Sequence, residues 1–298
     1  MSRSSDPHHL ATAAVVVGVD GSLSSDRAVR WAASTAAGRN RALRLVHGYD
    51  LTAVTAIYGA YDAMVPGVAD ALRERAERVV AAAREVALAA APDCEVRTEV
   101  SPEHPSKLLI DASATAHLVV MGAGSGGPLS PIGSTVYAVG AHGHGSIVVV
   151  RGDDHPADRP VVVGVDGSRV GEPAVAAAFA EAAFRDAPLI VVHAVNDITV
   201  DAFRVFTGVL PDGGVEAAAA EMLSERLAGW QAKYPEVHVE FDIHPAGSRK
   251  HLLRHSETAQ LVVVGSRGRG GFLGLLLGST SNALLHRAAC PVLVAHPD

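Results

Sequence analysis

The chain is one unit written twice, and that fact limits its folds more than any other. "AVVVGVDGS" (Ala14 to Ser22) returns as "PVVVGVDGS" (Pro160 to Ser168). "LRLVHGYD" (Leu43 to Asp50) returns as "LIVVHAVND" (Leu189 to Asp197), with His47 and His193 in register. "LVVMG" (Leu118 to Gly122) returns as "LVVVG" (Leu261 to Gly265), and Gly133 to Thr135 returns as Gly278 to Thr280. The offset is about 145 residues each time, too long for a solenoid repeat and right for a duplicated domain. A chain of 298 residues holds two such domains, each large enough for its own core. The seam is the polar "RGDDHPADRP" (Arg151 to Pro160), which gives domains over 1–153 and 154–298. Residues 1–12 have no apolar stretch of signal-peptide type and read as a disordered tail.

Within each copy, short Val/Ile/Leu runs alternate with Ala-rich amphipathic stretches. Runs that are apolar throughout are strands buried on both faces, as in a parallel sheet. "SSDRAVRWAASTAAGR" begins with serines that cap a helix, and "GEPAVAAAFAEAAF" has Pro173 where a first helical turn accepts it. Longer helices are expected near Gly67 to Ala91 and Val215 to Lys233, shorter ones near Pro105 to Thr115 and Ser248 to Thr258. Each copy closes on an apolar run, Ile147 to Val150 or Val292 to Ala295. The expected fold class is α/β: two tandem domains, each a twisted parallel five-stranded sheet with helices on both faces, Rossmann-like in layout.

Composition removes several classes of function. The formal net charge of -7 gives no footprint for nucleic acid or an anionic membrane surface. No apolar run reaches the length of a membrane span. Cys94 and Cys290 make no disulfide framework, so a cytoplasmic setting is expected. Lysine occurs only at Lys107, Lys233 and Lys250, and no G-x4-G-K-[ST] exists.

A ligand on such a sheet sits beyond the carboxyl ends of the strands, where strand order reverses. Three features fall there: the acid after strand one (Asp20 or Asp166), the segment after strand two (Gly48 or Ala194), and a glycine loop after strand four. The second loop runs from Gly265 through Gly268 to Gly278, then Ser279 and Thr280. Glycine lets backbone N–H groups approach a ligand, and a helix starting near Gly278 turns its free N–H groups and dipole toward an anion. Arg267 and Arg269 read as solvated. Asp20 and Asp166 fit ligand contact, and an acid before Gly-Ser also fits a plain turn or cap. An anion cradle beside a strand-end acid describes a nucleotide site.

The stretches "VVVGVDGS", "VVVGSRGRGGFLGLLLGST" and "CPVLV" resemble a universal stress protein of the ATP-binding kind, in the tandem form common in actinobacteria. The family's loop motif is G-x2-G-x9-G-[ST], and Gly265, Gly268, Gly278 and Ser279 match it in residue and spacing. The resemblance covers nearly the whole chain. It implies ATP, with Mg2+, as the ligand. Asp166, with Gly164 before it, would meet the base or ribose, Ala194 the adenine, and the loop with Ser279 and Thr280 the phosphates. In the first copy the same roles would fall to Gly18, Asp20, Gly48, Gly122, Gly133, Ser134 and Thr135. It also implies last strands that pair the two domains as a pseudo-dimer, and association into a homodimer.

The first copy departs from the motif. Gly122 to Gly133 is shorter by two positions, Ser125 replaces the second motif glycine, and Pro128 and Pro131 stiffen the middle. Gly140, Gly143 and Gly145 follow in the expected helix, each costing about 1 kcal/mol relative to alanine in a helix interior. The second copy therefore reads as the intact site.

Other patterns read more plainly. Gly122, Gly124 and Gly127 match G-x-G-x-x-G, but after strand four instead of the first strand. His251 and His255 are spaced for one helix face and read as solvated, while His142 and His144 fall at a helix end. His47 and His193 recur as structural residues, Cys290 as a buried thiol, and "LRERAERVVAAAREV" as a solvated amphipathic helix. No general base or motif lysine stands beside the loop, so bound ATP with slow or absent hydrolysis is expected in a stress-response regulator. The alternative is a slow ATPase or nucleotidyl-transfer enzyme of the same α/β group.

Overall fold

The computed structural model describes residues 13–51, 65–124, 132–152, 158–168, 171–195, 214–268 and 277–297. The tail and the middles of both glycine loops lie outside them, with Ser125, Gly127, Pro128, Pro131 and Arg269. Contacts divide the chain into two compact units, Met1–Arg151 and Gly152–Pro297.

The first unit runs β1 (Val15–Gly18), α1 (Leu23–Gly38), β2 (Leu43–Gly48), α2 (Val65–Ala90), β3 (Val96–Ser101), α3 (Pro105–Ser113), β4 (Leu118–Gly122), α4 (Ser134–His142) and β5 (Ser146–Val150). Its strands lie in the order β3-β2-β1-β4-β5, and every pairing is parallel. The second unit runs β6 (Val161–Val165), α5 (Glu172–Phe184), β7 (Leu189–Ala194), α6 (Gly214–Lys233), β8 (Val239–His244), α7 (Ser248–His255), β9 (Leu261–Gly265), α8 (Ser279–Arg287) and β10 (Val292–Ala295). Its order is β8-β7-β6-β9-β10, again parallel throughout. The expected α/β class and the five-stranded sheet of each domain are what the chain forms.

The sequence pattern accounts for these elements. The inner strands β1, β4, β6 and β9 are apolar because helices cover both faces, and Val15, Val17, Val120, Val161 and Val263 are fully buried. Ser22 caps α1, its hydroxyl accepting from the amide of Ser25 at 3.1 Å. The buried face of α1 is Ala28, Val29, Ala32, Ala33 and Ala36, small side chains that let the helix lie close on the sheet. On α2 the buried residues Ala76, Val80, Ala83 and Ala87 recur at helical spacing beneath an exposed Arg73–Glu77 pair. Pro173 stands in the first turn of α5.

The first unit's last helix corrects one expectation. α4 ends at His142. Gly143 is its C-cap and Gly145 lies beyond it with φ +61°, so of the three glycines only Gly140 weakens the helix interior. Gly143 is there for space: a Cβ would lie 2.6 Å from the Val139 carbonyl oxygen and 2.9 Å from Ile147 Cδ1. The glycines stop the helix and turn the chain into β5.

Candidate functional site

In a 3-2-1-4-5 order the chain leaves the first strand toward one edge and later returns to the fourth strand on its other side. The space beyond the carboxyl ends of these two strands is left open. In the first unit a cleft of about 140 Å³ lies there. Gly18 and Asp20 line it from the end of β1, Gly48 from β2, Gly122 from β4, and Thr135 from the start of α4. These candidates from four separate stretches of sequence meet at one place. Gly133 and Ser134 stand beside it as the N-cap and first residue of α4. The motifs give no hint of the apolar wall, formed by Val46, Leu108, Leu109, Met121 and Val136.

Local packing sets each group. A Cβ at Gly18 would lie 2.8 Å from Leu109 Cδ1, so the glycine lets α3 seat against the strand end. Asp20 is exposed, and its Oδ1 accepts from the Ser22 amide at 2.9 Å. The Asp20 amide donates to Ser25 Oγ at 3.3 Å. His47 lines the cleft and donates from Nδ1 to the Val19 carbonyl oxygen at 2.6 Å. A carbonyl only accepts, so the neutral ring keeps its proton on Nδ1 and presents Nε2 as an acceptor.

The loop begins under tight constraint. A Cβ at Gly122 would lie 2.4 Å from the Ser24 carbonyl oxygen, and the Gly124 amide donates to Ser24 Oγ at 3.2 Å. In α4 the Tyr137 amide bonds to the Gly133 carbonyl at 3.1 Å, and no side chain caps the start. The preceding amides of Ser134, Thr135 and Val136 are the donors that an anion at a helix start engages.

The second unit repeats the backbone and changes the side chains. Gly164 lies under Leu252, with 2.7 Å from a notional Cβ to Cδ1, and His193 Nδ1 donates to the Val165 carbonyl at 2.7 Å. Asp166 Oδ1 accepts from both the amide and the hydroxyl of Ser168, at 2.8 and 2.7 Å. A Cβ at Gly268 would lie 2.9 Å from Asp166 Oδ2, so the strand-end acid and the motif glycine are neighbours. Gly265 ends β9, and its carbonyl accepts from Ser281 Oγ at 2.6 Å. The Gly278 amide donates to the Ser266 carbonyl at 2.7 Å and ties the two ends of the loop together. Ser279 and Thr280 open α8, which no side chain caps. Ala194 ends β7 in register with His244 of β8. Arg226 of α6 donates to the Gly167 carbonyl, a contribution that no motif signals.

One reading needs correction. His251 and His255 do not form a merely solvated face. His255 Nε2 donates to Asp242 Oδ2 at 2.5 Å, and His251 stacks on His244 with ring centroids 3.3 Å apart. Burial would raise the Asp242 carboxyl, but the hydrogen bond from His255 and the close approach of His244 outweigh it and hold it below the usual aspartate range. Their partners lie on a different element, which helix periodicity alone could not foresee. Cys290 is a fully buried thiol, and burial pushes it up to about 12.

Known proteins share this sequence pattern and this fold. The model of the universal stress protein family matches residues 13–151 and again 159–296. A universal stress protein of Mycobacterium tuberculosis (strain ATCC 25618 / H37Rv) is 40% identical over 294 residues, covering 94% of this chain and 96% of its own. One of Mycolicibacterium smegmatis (strain ATCC 700084 / mc(2)155) is 38% identical over 296 residues, covering 95% and 97%. The crystal structure of a universal stress protein from Archaeoglobus fulgidus DSM 4304 shares the fold, with a TM-score of 0.72 at 19% identity over 95% of this chain and 98% of that one.

Proposed function

The chain belongs to the universal stress protein family, and from that premise we propose that it binds adenine nucleotide, ATP with Mg2+ foremost, as a regulator in the stress response. The observation that carries this reading is the cleft where Asp20 faces an uncapped helix start across an apolar wall. Leu108, Leu109, Met121 and Val136 suit the faces of a base. Asp20 suits a ribose hydroxyl, and the amides of Ser134 and Thr135 suit a phosphate. Whole-ligand pockets enclose roughly 300 Å³ or more, so a cleft of about 140 Å³ suits the base and ribose, with phosphates lying outside along α4. In the second unit Asp166, Gly268, Gly278, Ser279 and Thr280 take the corresponding parts.

The regulatory reading is preferred to the ATPase because the chain has no G-x4-G-K-[ST] motif and no lysine in either glycine loop. Cytoplasmic placement and homodimer assembly belong to the same reading. No helix among the described residues is long and apolar enough to cross a membrane.

The test is direct. Protein purified without added nucleotide is denatured, and released nucleotide is identified by chromatography. Melting is then followed with added ATP and Mg2+. Saturation at about 100 times the dissociation constant stabilises by roughly 2.7 kcal/mol. No nucleotide and no shift refute the proposal. Many turnovers of ATP per chain per minute, lost in Asp20→Ala and Asp166→Ala together, favour the enzyme instead.

A further inference from the structure

The second unit carries a side-chain cluster that the first lacks. Asp242 and His244 lie on β8, and His251, Arg254 and His255 lie on α7. His255 donates to Asp242 Oδ2 at 2.5 Å, and His244 Nε2 lies 2.9 Å from the same oxygen. The His244 contact is off-axis: Nε2 is buried and makes no hydrogen bond despite the short distance. The face of His244 meets His251, with centroids 3.3 Å apart and planes inclined by 13°. Arg254 donates to His251 Nδ1 at 3.4 Å, so neutral His251 carries its proton on Nε2. Among the described residues no three such groups are placed so that they could hold a metal ion. The chemistry left to the cluster is protonation.

The repeat fixes where this cluster stands. Leu109 packs on Gly18 and Leu252 packs on Gly164 at nearly the same distance, 2.8 and 2.7 Å from a notional Cβ, so α3 and α7 are seated alike. The residue before each leucine is Leu108 in the first unit and His251 in the second. Leu108 lines the first cleft. Ser101 is in register with Gly48, and His244 is in register with Ala194. Leu108 walls the first cleft, and His251, stacked on His244, stands at the equivalent position in the second unit.

We propose that the His244–His251 stack forms one wall of the second unit's ligand crevice and makes that site proton-sensitive, losing affinity on acidification, while the first site does not. The proposal rests on the nucleotide reading above. Two neutral imidazoles stack face to face, but two imidazolium rings at this separation repel strongly even through screened surroundings. Burial holds His251 below the ordinary imidazole range, and the like charges of His244 and Arg254 add to this. Lys250 on its own helix acts in the same sense, and Asp242 opposes it. Among the other packed elements, β7 brings His193, bound to the Val165 carbonyl, β6 leads to Asp166, and α8 carries His286 and Arg287 in its last turn. A positive His244 has Asp242 as its favourable partner and a positive His251 as its unfavourable one. Acid therefore expels His251 from the stack and unmakes the wall.

The test uses the full chain. ATP affinity is measured by calorimetry at pH 7.5 and 5.5 in Asp20→Ala, which reports the second site, and in Asp166→Ala, which reports the first. Protonation of ATP itself weakens both alike, so the readout is the second-site loss relative to the first. That ratio is expected to be about threefold, because a ring held below the ordinary imidazole range is only part-protonated at pH 5.5. Adding His251→Leu, which copies the first unit, brings the ratio to one. A ratio of one in the parent, or one unchanged by His251→Leu, overturns the proposal. The stack is also read without nucleotide. The His251 ring-proton NMR titration is expected to move toward the ordinary midpoint in His244→Phe, which keeps an aromatic neighbour and removes its charge. An unmoved midpoint overturns the coupling. Absence of ATP binding at pH 7.5 in the unsubstituted chain refutes the nucleotide reading and the ligand half of this proposal, while the titration still decides the stack.

Discussion

His47 donates from Nδ1 to the carbonyl oxygen of Val19 at 2.6 Å, and the second repeat makes the same bond from His193 to Val165 at 2.7 Å. Val19 is buried, and the next residue is the strand-end acid Asp20. The bond satisfies a carbonyl where the sheet ladder runs out, and it fixes the direction in which the chain leaves for Asp20. His47→Ala should cost about 1–3 kcal/mol in urea unfolding, because the carbonyl loses its donor. It should also weaken ATP binding at the first site. His47→Gln, which keeps an N–H donor, should recover part of both. Unchanged stability in His47→Ala would show that water replaces the ring without loss.

Gly122 and Gly133 bound the same loop and should respond differently. A Cβ at Gly122 would meet the Ser24 carbonyl oxygen at 2.4 Å, and backbone on both sides leaves little room to yield. Gly122→Ala should destabilise by about 1–3 kcal/mol through overpacking. Nothing lies within 4 Å of a Cβ at Gly133. As the N-cap of α4 that position favours serine, so Gly133→Ser should be neutral or slightly stabilising. Thermal melts of the two variants decide it; equal losses would mean the loop start is looser than this contact requires.

Gly268→Ala separates binding from folding. The new methyl would approach Asp166 Oδ2 to 2.9 Å, and that atom is the far end of a rotatable side chain. The carboxylate can swing aside, so the melting temperature without ligand should change by less than about 2 °C, within the effect of roughly 0.5 kcal/mol or less. The same swing removes Asp166 from its station beside the loop. The ATP-induced shift assigned to the second site should therefore shrink while the first site's persists. A full shift in Gly268→Ala would detach Asp166 from the nucleotide.

These contrasts also mark how far the sequence is legible. Apolar runs and their repeat announce strands and their burial, because a strand covered on both faces has almost no other composition open to it. Asp20, Gly48 and Gly122 were readable as a group because all three close strands in one parallel sheet. Leu108 and Leu109 were not, since a leucine facing a cleft and one facing the core obey the same helical period. The same limit hid the partners of His251 and His255. Their spacing describes one face of α7, while Asp242 and His244 are set by the register of β8 on β7. Gly143 and Gly145 misled for a related reason: composition counts glycines, and only the fold distinguishes a helix interior from its end.

His117 supplies a pH-dependent prediction away from either cleft. It precedes β4, and its backbone amide donates to the Ala14 carbonyl at 2.9 Å. Its Nε2 is buried without a hydrogen-bond partner. Burial first, then the positive charges of Arg41 and Arg39, push the imidazole down to about 4. The unfolded chain has an ordinary value of about 6.5. Above that value both states hold the ring neutral, and His117 contributes nothing to pH dependence. As the pH falls from 6.5 the unfolded chain takes up a proton that the folded one refuses, so stability drops until about pH 4, where the loss is complete. Taken whole, the shift would be about 3 kcal/mol, and solvent screening of a partly reached ring reduces it to about 1–2 kcal/mol. His117→Gln cannot titrate, so its stability relative to the parent should rise by that amount between pH 7.5 and 4.5. Urea unfolding at the two pH values measures the difference, and parallel profiles for parent and variant would show that the ring protonates in the folded chain as readily as in the unfolded one.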